Sequence, residues 1–311
     1  MKKFIFIIYL LFVIATKTFA QDVSFINTNQ SLVNLNPSFA GSNGGLRVQS
    51  NYQNKWPNIA NGQTSVDYYL STDAYVKKVK GAFALTYMHG DETNGLLKTD
   101  NIGLSYAQHI KVNNELKIIP SLRVGLLQRQ LDVSKLTYDQ NTNGIIAQPA
   151  IDLDGIPKKQ ALDFSGGVLV QYKKFYGGIS TFHINQPDEG LLNGSKLPIL
   201  INIHASYNII LSEKTLVQFG GKFTSQQKFE MLQLNANAVF FKHFVCGLNY
   251  RNADQAGAIL GYRNNYLSTT LCYFQIASKL AGTNSGSWEL ALSYNLRNKE
   301  NRKKLTAFEA W

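Results

Sequence analysis

The chain has 311 residues, of which 12% are aromatic and only 16% are charged, and its formal net charge is +11. Two cysteines are too few for the disulfide framework of a small secreted domain. A basic excess can indicate nucleic-acid binding, but a secreted chain rarely meets nucleic acid, and we expect no such partner. We expect the positive charge to lie near anionic groups or an acidic partner instead.

The start of the chain predicts a secretory signal peptide over residues 1–20. Lys2-Lys3 precedes an apolar run from Phe4 to Ala15, which suits a signal peptide and is short for a transmembrane helix. Thr18-Phe19-Ala20 is a small-x-small cleavage site, so the mature chain is expected to begin at Gln21. An uncleaved anchor is the alternative, and Lys17 disfavours it because it interrupts the apolar run.

Behind the signal, residues 21–43 lack a clean strand pattern, and short segments with alternating apolar and polar residues then follow to residue 296. Such alternation, bounded by Gly, Asn, Asp and Pro clusters, indicates strands. We predict about fourteen of them. In chain order they span 44–54, 63–71, 80–89, 100–111, 116–128, 161–173, 174–184, 199–211, 215–224, 231–241, 242–251, 256–263, 266–276 and 286–296.

The last segment shows the pattern most clearly. Trp288, Leu290 and Tyr294 fall on one face of an extended strand, whereas Ser287 and Glu289 fall on the other. A soluble sandwich can also alternate, but a long series of segments with membrane-crossing length and interfacial aromatics indicates an outer-membrane protein. The predicted fold class is all-β, a transmembrane antiparallel up-and-down β-barrel of about fourteen strands over 44–296, closed because lipid cannot satisfy open sheet edges.

The lengths of the connections support a membrane barrel. Connections after even-numbered strands are mostly tight, whereas those after odd-numbered strands are mostly long, at 90–99, 129–160, 185–198 and 277–285. The connections at 72–79 and 252–255 depart from this rule. Membrane barrels have short periplasmic turns and longer outer loops. The pattern therefore predicts an outer-membrane, multi-pass barrel with both termini in the periplasm, including a basic tail over 297–311.

The sequence offers no enzyme chemistry, and we expect no catalytic residue, cofactor or metal site. The five histidines are scattered over separate hairpins without the spacing of a zinc site. His204 and Ser206 both face inward, but they are separated along one strand by roughly 7 Å at about 3.3 Å of rise per residue. Cys246 is expected outward and Cys272 inward, so both are expected to be free thiols.

Several motifs, each weak alone, occur in the order and spacing of a known family. Asn36-Pro37-Ser38-Phe39-Ala40-Gly41 is followed by Tyr52–Pro57, which contains Lys55-Trp56. Leu248–Arg251 and Leu260–Tyr262 come later, and Ser285–Tyr294 closes the series. Over essentially the whole mature chain, the sequence resembles the PorP/SprF family of Bacteroidetes outer-membrane proteins. Lys55 departs from the usual Gln of that pattern.

The resemblance implies a non-enzymatic component of the type IX secretion and gliding machinery. Members of the family are described as barrels that anchor or help secrete a large cell-surface adhesin. They also connect to a periplasmic ring or a peptidoglycan-binding partner. Outer-membrane lipid is the remaining expected partner. The alternative function is an outer-membrane porin or small-solute channel, and a barrel that hydrolyses lipid is a third hypothesis.

Two regions are candidate sites for partner binding. Residues 21–43 form a periplasmic segment or a plug, organised by Asn36, Pro37 and Gly41, with a flexible leader as the alternative. The loop 129–160 is too long for a simple connection and carries acidic and apolar residues, which often mark an interaction site. Folding of this loop into the lumen is the alternative. The predicted partner-binding residues are Asn36, Pro37, Gly41, Trp56, Ile145, Ile146, Ile151, Leu153 and Ile156.

Overall fold

The computed structural model describes residues 22–59, 63–132, 157–191, 194–252, 255–276 and 286–296. The loop residues Ile145, Ile146, Ile151, Leu153 and Ile156 lie outside these ranges, as do the predicted signal peptide and the predicted basic tail. Among the helical segments of the described residues, none has the length and apolar character that a membrane span requires.

Fifteen strands make up the described sheet. They are β1 (Leu46–Ile59), β2 (Gln63–Val76), β3 (Gly81–Glu92), β4 (Leu97–Gln108), β5 (Ile110–Lys111), β6 (Leu116–Leu131), β7 (Lys158–Tyr172), β8 (Phe175–Phe182), β9 (Leu200–Ser212), β10 (Thr215–Gln226), β11 (Phe229–Phe240), β12 (Phe244–Arg251), β13 (Gln255–Arg263), β14 (Leu267–Ile276) and β15 (Ser287–Leu296). Because β5 continues β4 after His109 and both pair with β6, the wall is a closed antiparallel barrel of 14 strands.

The barrel closes by pairing its first strand with its last. Tyr52 lies opposite Leu290 and Arg47 opposite Asn295 in the β1–β15 pair. Every other wall strand pairs with its neighbours in the chain. The closed ring leaves no unpaired edge, as a membrane span made of strands requires. The predicted fold class and strand number are confirmed.

Side chains alternate between lipid and lumen along the wall. In β15, buried and exposed residues alternate without exception, with Glu289 inside and Trp288 outside. Large apolar residues are exposed on the outer surface of most strands, including Leu122, Leu248 and Leu260. Outward aromatic residues occur toward both rims, such as Tyr250 near one end and Tyr294 near the other. This surface fits a lipid environment.

The two ends of the barrel differ in their connections. At one end, which we call the short-turn end, β2–β3, β5–β6, β7–β8, β9–β10, β11–β12 and β13–β14 are joined by tight turns. The other end, the long-loop end, carries the connections 132–157, 183–199 and 277–286. Two expected long connections are shorter than predicted, since β2 extends to Val76 and β3 and β4 extend through Glu92 and Leu97. The longer strands replace the expected loops at 72–79 and 90–99.

Candidate functional site

The lumen of the barrel is occupied by the N-terminal segment of the chain. We call residues 22–43 the plug. It contains a 3₁₀ turn at Thr28–Gln30, one helical turn at Leu32–Leu35 and a second 3₁₀ turn at Pro37–Phe39. Its first residue, Asp22, contacts Gln226 at the long-loop end, and its last residues lead into β1 at the short-turn end. The plug therefore spans the lumen from one end toward the other.

At the short-turn end, the plug and the wall form an apolar core. Phe39 is 1% exposed and meets the ring of Tyr176 edge-on, with centroids 5.8 Å apart. The wall contributes small or branched residues from β3, β4, β6 and β7. The buried cluster consists of Leu32, Val33, Leu35, Phe39, Ala40, Ala82, Ala84, Ala107, Ile119, Leu169 and Tyr176. Such packing excludes water from this end of the lumen.

Asn36 and Pro37 start the second 3₁₀ turn of the plug. Asn36 has extended backbone, as a residue before proline should, and its side-chain oxygen accepts a hydrogen bond of 2.9 Å from the Ser38 amide. Its amide nitrogen donates to the carbonyls of Val168 and Ile179 at 3.3 and 3.2 Å. The cap therefore also ties the plug to two strands of the wall.

Gly41 makes the turn that carries the plug into β1. Its φ of +67° is a conformation that other residues rarely adopt, and a Cβ there would lie 2.3 Å from that of Ala82. The Gly41 amide donates to a carboxylate oxygen of Asp73 at 2.7 Å. Arg47 pairs with Asp73 at 2.8 Å and donates to the Phe39 carbonyl at 3.1 Å. The turn is thus fixed by a buried ion pair of the first hairpin.

The opposite side of the lumen contacts the plug through polar groups. The buried carboxylate of Glu289 accepts hydrogen bonds from the amides of Ile26 and Asn27 at 2.7 and 3.2 Å. The side-chain amide of Gln233 donates to the Ile26 carbonyl at 2.6 Å. Three further pairs continue this ladder, Asn27 with Thr270, Asn29 with Gln218 and Gln30 with Ser268. Side chains of the wall thus replace the strand partner that this segment lacks.

A charged cluster holds the first residue of the plug. His183 contacts Asp22 through Nε2 at 2.7 Å and Asp163 through Nδ1 at 2.9 Å. Asp163 also pairs with Arg123 at 3.3 Å. Burial opposes the charged imidazole, but the carboxylates of Asp22 and Asp163 outweigh it and raise the pKa of His183 to about 10. His183 is therefore an imidazolium that bridges the plug and the wall.

A cavity of about 410 Å³ remains between the plug and the long-loop half of the wall. Its lining combines apolar side chains with several charged ones. Most of these charges are paired, Lys55 with Asp67 at 2.6 Å and Arg129 with Glu189 at 2.6 Å. Lys222, which is 8% exposed, has no carboxylate within 4.0 Å among the described residues. The sequence analysis did not identify this position.

The rim at the short-turn end is basic. Each of its six tight turns contains or adjoins at least one Lys or Arg. The set comprises Lys77, Lys78, Lys80, Lys111, Lys173, Lys174, Lys214, Lys242 and Arg263. The described acidic residues of these turns are Glu115, which pairs with Lys173 at 3.2 Å, and Glu213. This rim carries a ring of positive charge.

The structure brings Asn36, Pro37 and Gly41 together inside the lumen. Trp56 lies in β1, and its side chain is outside the described part of the chain. Lys117 lies on the inward face of β6 with Ile119 and Ser121, and it is exposed beside the short-turn rim. The predicted free cysteines are confirmed, with Cys272 buried and Cys246 partly exposed. Within the described ranges, no group of three or more His, Cys, Asp or Glu residues could hold a metal ion.

Comparisons with known proteins agree with the architecture. No curated protein matches the chain significantly. The outer membrane protein Omp33 of Acinetobacter baumannii superposes with a TM-score of 0.50 at 6% identity, covering 81% of this chain and 98% of that one. The CymD monoaromatic hydrocarbon channel gives 0.49 at 11% identity, with 89% and 95% covered. The toluene transporter TodX of Pseudomonas putida gives 0.47 at 10%, with 88% and 95% covered.

At such low identity the likeness to Omp33 shows the fold alone. The family comparison is more informative. The model of the type IX secretion system membrane protein PorP/SprF matches residues 18–294. This match covers the plug and nearly the whole barrel, so the resemblance seen in the motifs is confirmed. The chain belongs to the PorP/SprF family, as an outer-membrane barrel of the type IX secretion system.

Proposed function

We propose that this barrel anchors or helps secrete a large cell-surface adhesin, without enzymatic activity, and links it to periplasmic components of the secretion and gliding machinery. The observation that carries the proposal is the filled lumen. Because the plug fills the interior of the barrel, a wide pore is absent from the described structure. The two ends of the barrel are then the surfaces at which partners can bind. The family membership supplies the type IX context.

The plug also weighs against the porin alternative. A diffusion pore needs a continuous aqueous path through the barrel. Here, Phe39 and Leu35 pack with Ile119 and Leu169 across the short-turn end, and all four are at most 9% exposed. Their removal from the lumen would require loss of the apolar core. We therefore expect the intact protein to conduct ions poorly.

The same proposal assigns the two ends. Short turns of membrane barrels face the periplasm, so we place the basic rim there. Its positive ring suits an acidic face of a periplasmic ring subunit or a peptidoglycan-binding partner. We place the long-loop end outside, where 129–160, 185–198 and 277–285 would contact the adhesin. Within 129–160, the apolar residues Ile145, Ile146, Ile151, Leu153 and Ile156 are the proposed contacts.

Co-purification tests the anchoring role. The barrel is extracted from outer membranes in detergent after brief cross-linking, and bound proteins are identified by mass spectrometry. We compare the wild type with a variant in which 140–156 is replaced by a Gly/Ser linker. The proposal predicts a large surface protein with the wild type and its loss from the variant, while periplasmic partners remain. Retention of the surface protein by the variant would contradict the assigned contact.

Planar-bilayer conductance separates the anchor from the porin. The wild type should show little conductance, whereas deletion of 22–43 should open a stable channel, because the hydrogen bonds between neighbouring wall strands do not involve the plug. A variant lacking only the basic tail 297–311 is the matched control and should stay closed. A large, stable conductance of the wild type would instead favour the porin.

A further inference from the structure

One sector of the cavity carries two cations, Lys222 and Arg251, that form no ion pair within 4.0 Å among the described residues. Lys222 of β10 and Arg251 of β12 both contact the hydroxyl of Ser24, at 3.0 and 3.4 Å. The two cationic groups therefore lie within about 6.4 Å of each other, the sum of these distances. Both side chains line the cavity of about 410 Å³.

The partners of these two cations are neutral. Arg251 donates to the side-chain oxygens of Gln233 and Gln255 and to the Phe25 carbonyl. Lys222 donates to Ser24 alone among the described residues. An ammonium has three donors, so two N–H groups of Lys222 have no acceptor there. The Nε–H of Arg251 is also buried without a partner in the described part of the chain.

The buried acid Glu289 interacts electrostatically with both cations, but its carboxylate is already hydrogen-bonded to the plug. Glu289 accepts from the amides of Ile26 and Asn27 and from the side chain of Asn51. It does not line the cavity. Like charges buried side by side are costly unless an anion compensates them. The other cations of the cavity have such a partner, as with Arg129 and Glu189.

The apolar side chains that line the same cavity indicate what kind of anion it would bind. Phe25, Phe229, Met231 and Phe274 contribute apolar surface around the same cavity. A small inorganic anion would use the donors and leave this surface in contact with water. A carboxylate attached to an apolar body would use both, since its two oxygens can accept the three free N–H groups.

We propose that the long-loop half of the lumen is a binding site for a small organic carboxylate with an apolar body. Lys222 and Arg251 bind the carboxylate, and the four apolar residues surround the rest of the ligand. Ser24 of the plug holds the two cations toward the cavity. This site does not depend on the anchoring role, because its residues line the inside of the barrel and lie outside the proposed adhesin contacts.

Fluorine NMR titration tests the site in the full-length protein, embedded in lipid nanodiscs. The probe is 4-(trifluoromethyl)phenylacetate, and 4-(trifluoromethyl)phenethyl alcohol has the same ring without the charge. Empty nanodiscs correct for partition into lipid. The acid should bind the protein saturably, and the alcohol should bind at least about tenfold more weakly. Equal binding of the two probes, or no saturable binding of the acid, would overturn the proposal.

A variant locates the binding. Lys222→Met keeps the length of the side chain and removes its charge, so it should weaken binding of the acid by at least about tenfold and leave the alcohol unchanged. Lys228→Met, at an exposed position beyond the same strand, is the control and should bind like the wild type. Unchanged binding by Lys222→Met would reject the site. If this variant fails to fold, the acid and alcohol comparison on the wild type still decides.

Discussion

The two sides of the lumen hold the same plug by different means. The wall from β3 to β8 contacts it mainly through apolar residues such as Ile119, Leu169 and Tyr176. The wall from β10 to β15 contacts it through amides, hydroxyls and the carboxylate of Glu289. Apolar packing is non-directional and stabilises in proportion to buried area. Hydrogen bonds are directional, so the polar side determines which residue of the plug meets which strand.

This difference follows from the solvent around the barrel. Outward residues such as Leu122 and Leu248 are expected to face lipid, so they add little to a packed protein core. The apolar core must then be built inside, where the plug supplies Phe39 and its neighbours. The polar side satisfies backbone groups of a segment that belongs to no sheet. Substitutions can therefore remove the apolar contacts of the plug or its polar contacts separately.

The largest loss of stability is expected from a substitution in the apolar core between the plug and the wall. Phe39→Ala should lower the free energy of unfolding by about 3–5 kcal/mol, because it leaves a cavity in a core where the ring is 1% exposed. Urea titration of the refolded barrel measures this change. Phe244→Ala, at a residue 58% exposed on the outer surface, is the matched control. A loss for Phe39→Ala no larger than for the control would refute the core.

The second-largest loss of stability is expected on the polar side of the lumen. Glu289→Ala leaves the amides of Ile26 and Asn27 without their acceptor, and it should cost about 3 kcal/mol, as for hydrogen bonds to a charged group. Hydrogen exchange should rise over 24–30 and remain slow over 32–40. Glu230→Ala, at an exposed position, should change neither. Uniform loss of protection over both ranges would mean that the two sides act as one unit.

A smaller effect is expected where a polar cap lies within the apolar side. Asn36→Ala removes the cap on the Ser38 amide and two bonds to wall carbonyls, and it should cost about 1–2 kcal/mol. Asn34→Ala, two residues away and half-buried, is the control. Thermal melting of both variants gives the difference. Equal melting points would show that the bonds of Asn36 contribute nothing measurable.

The smallest expected effect is a pH-dependent release of the first plug residues. Both ring nitrogens of His183 contact carboxylates, and only the imidazolium donates from both. Since the pKa of His183 is raised to about 10 from an ordinary value of 6.5, its stabilisation is complete below about pH 6.5. It is lost as the pH rises through about 10.

Hydrogen exchange, corrected for the intrinsic rate at each pH, should therefore show opening of 22–25 between about pH 8 and pH 11. His183→Gln, which cannot carry the charge, should lack this transition. The segment 32–40, which is held by apolar packing, should stay protected over the same range. A transition that persists in His183→Gln would assign the titration to another group.

Much of the barrel could be predicted from the sequence. Alternation is a local property, so β15 and β11 were evident from their own residues, and the strand number followed. The pattern does not predict the end of β2, because Thr72, Asp73 and Ala74 are weakly apolar. In the structure, the carboxylate of Asp73 binds both Arg47 and the amide of Gly41. The inward carboxylate of Asp73 therefore indicates a buried ion pair, which the structure shows to be with Arg47.

The content of the lumen could be predicted only in part. The plug was visible as a segment without alternation, and Asn36-Pro37 and Gly41 marked its turns. Its partners were not visible, because Ile26 and Glu289 are 263 positions apart in the chain. Lys222 and Arg251 stood at inward positions of recognised strands, but only the structure shows that they converge on Ser24.

The contacts of the plug also join the beginning of the described chain to its last strand. Ile26 and Asn27, near the start of the described chain, bind the side chain of Glu289 in β15, the last strand of the described barrel. Glu289 and Ser287 stand in the lumen only once β15 has paired with β1. Until that seam forms, Ile26 and Asn27 have no acceptor of this kind. Binding of Ile26 and Asn27 to Glu289 therefore requires a closed barrel. Protection of these two amides can serve as a marker of barrel closure during insertion into the membrane.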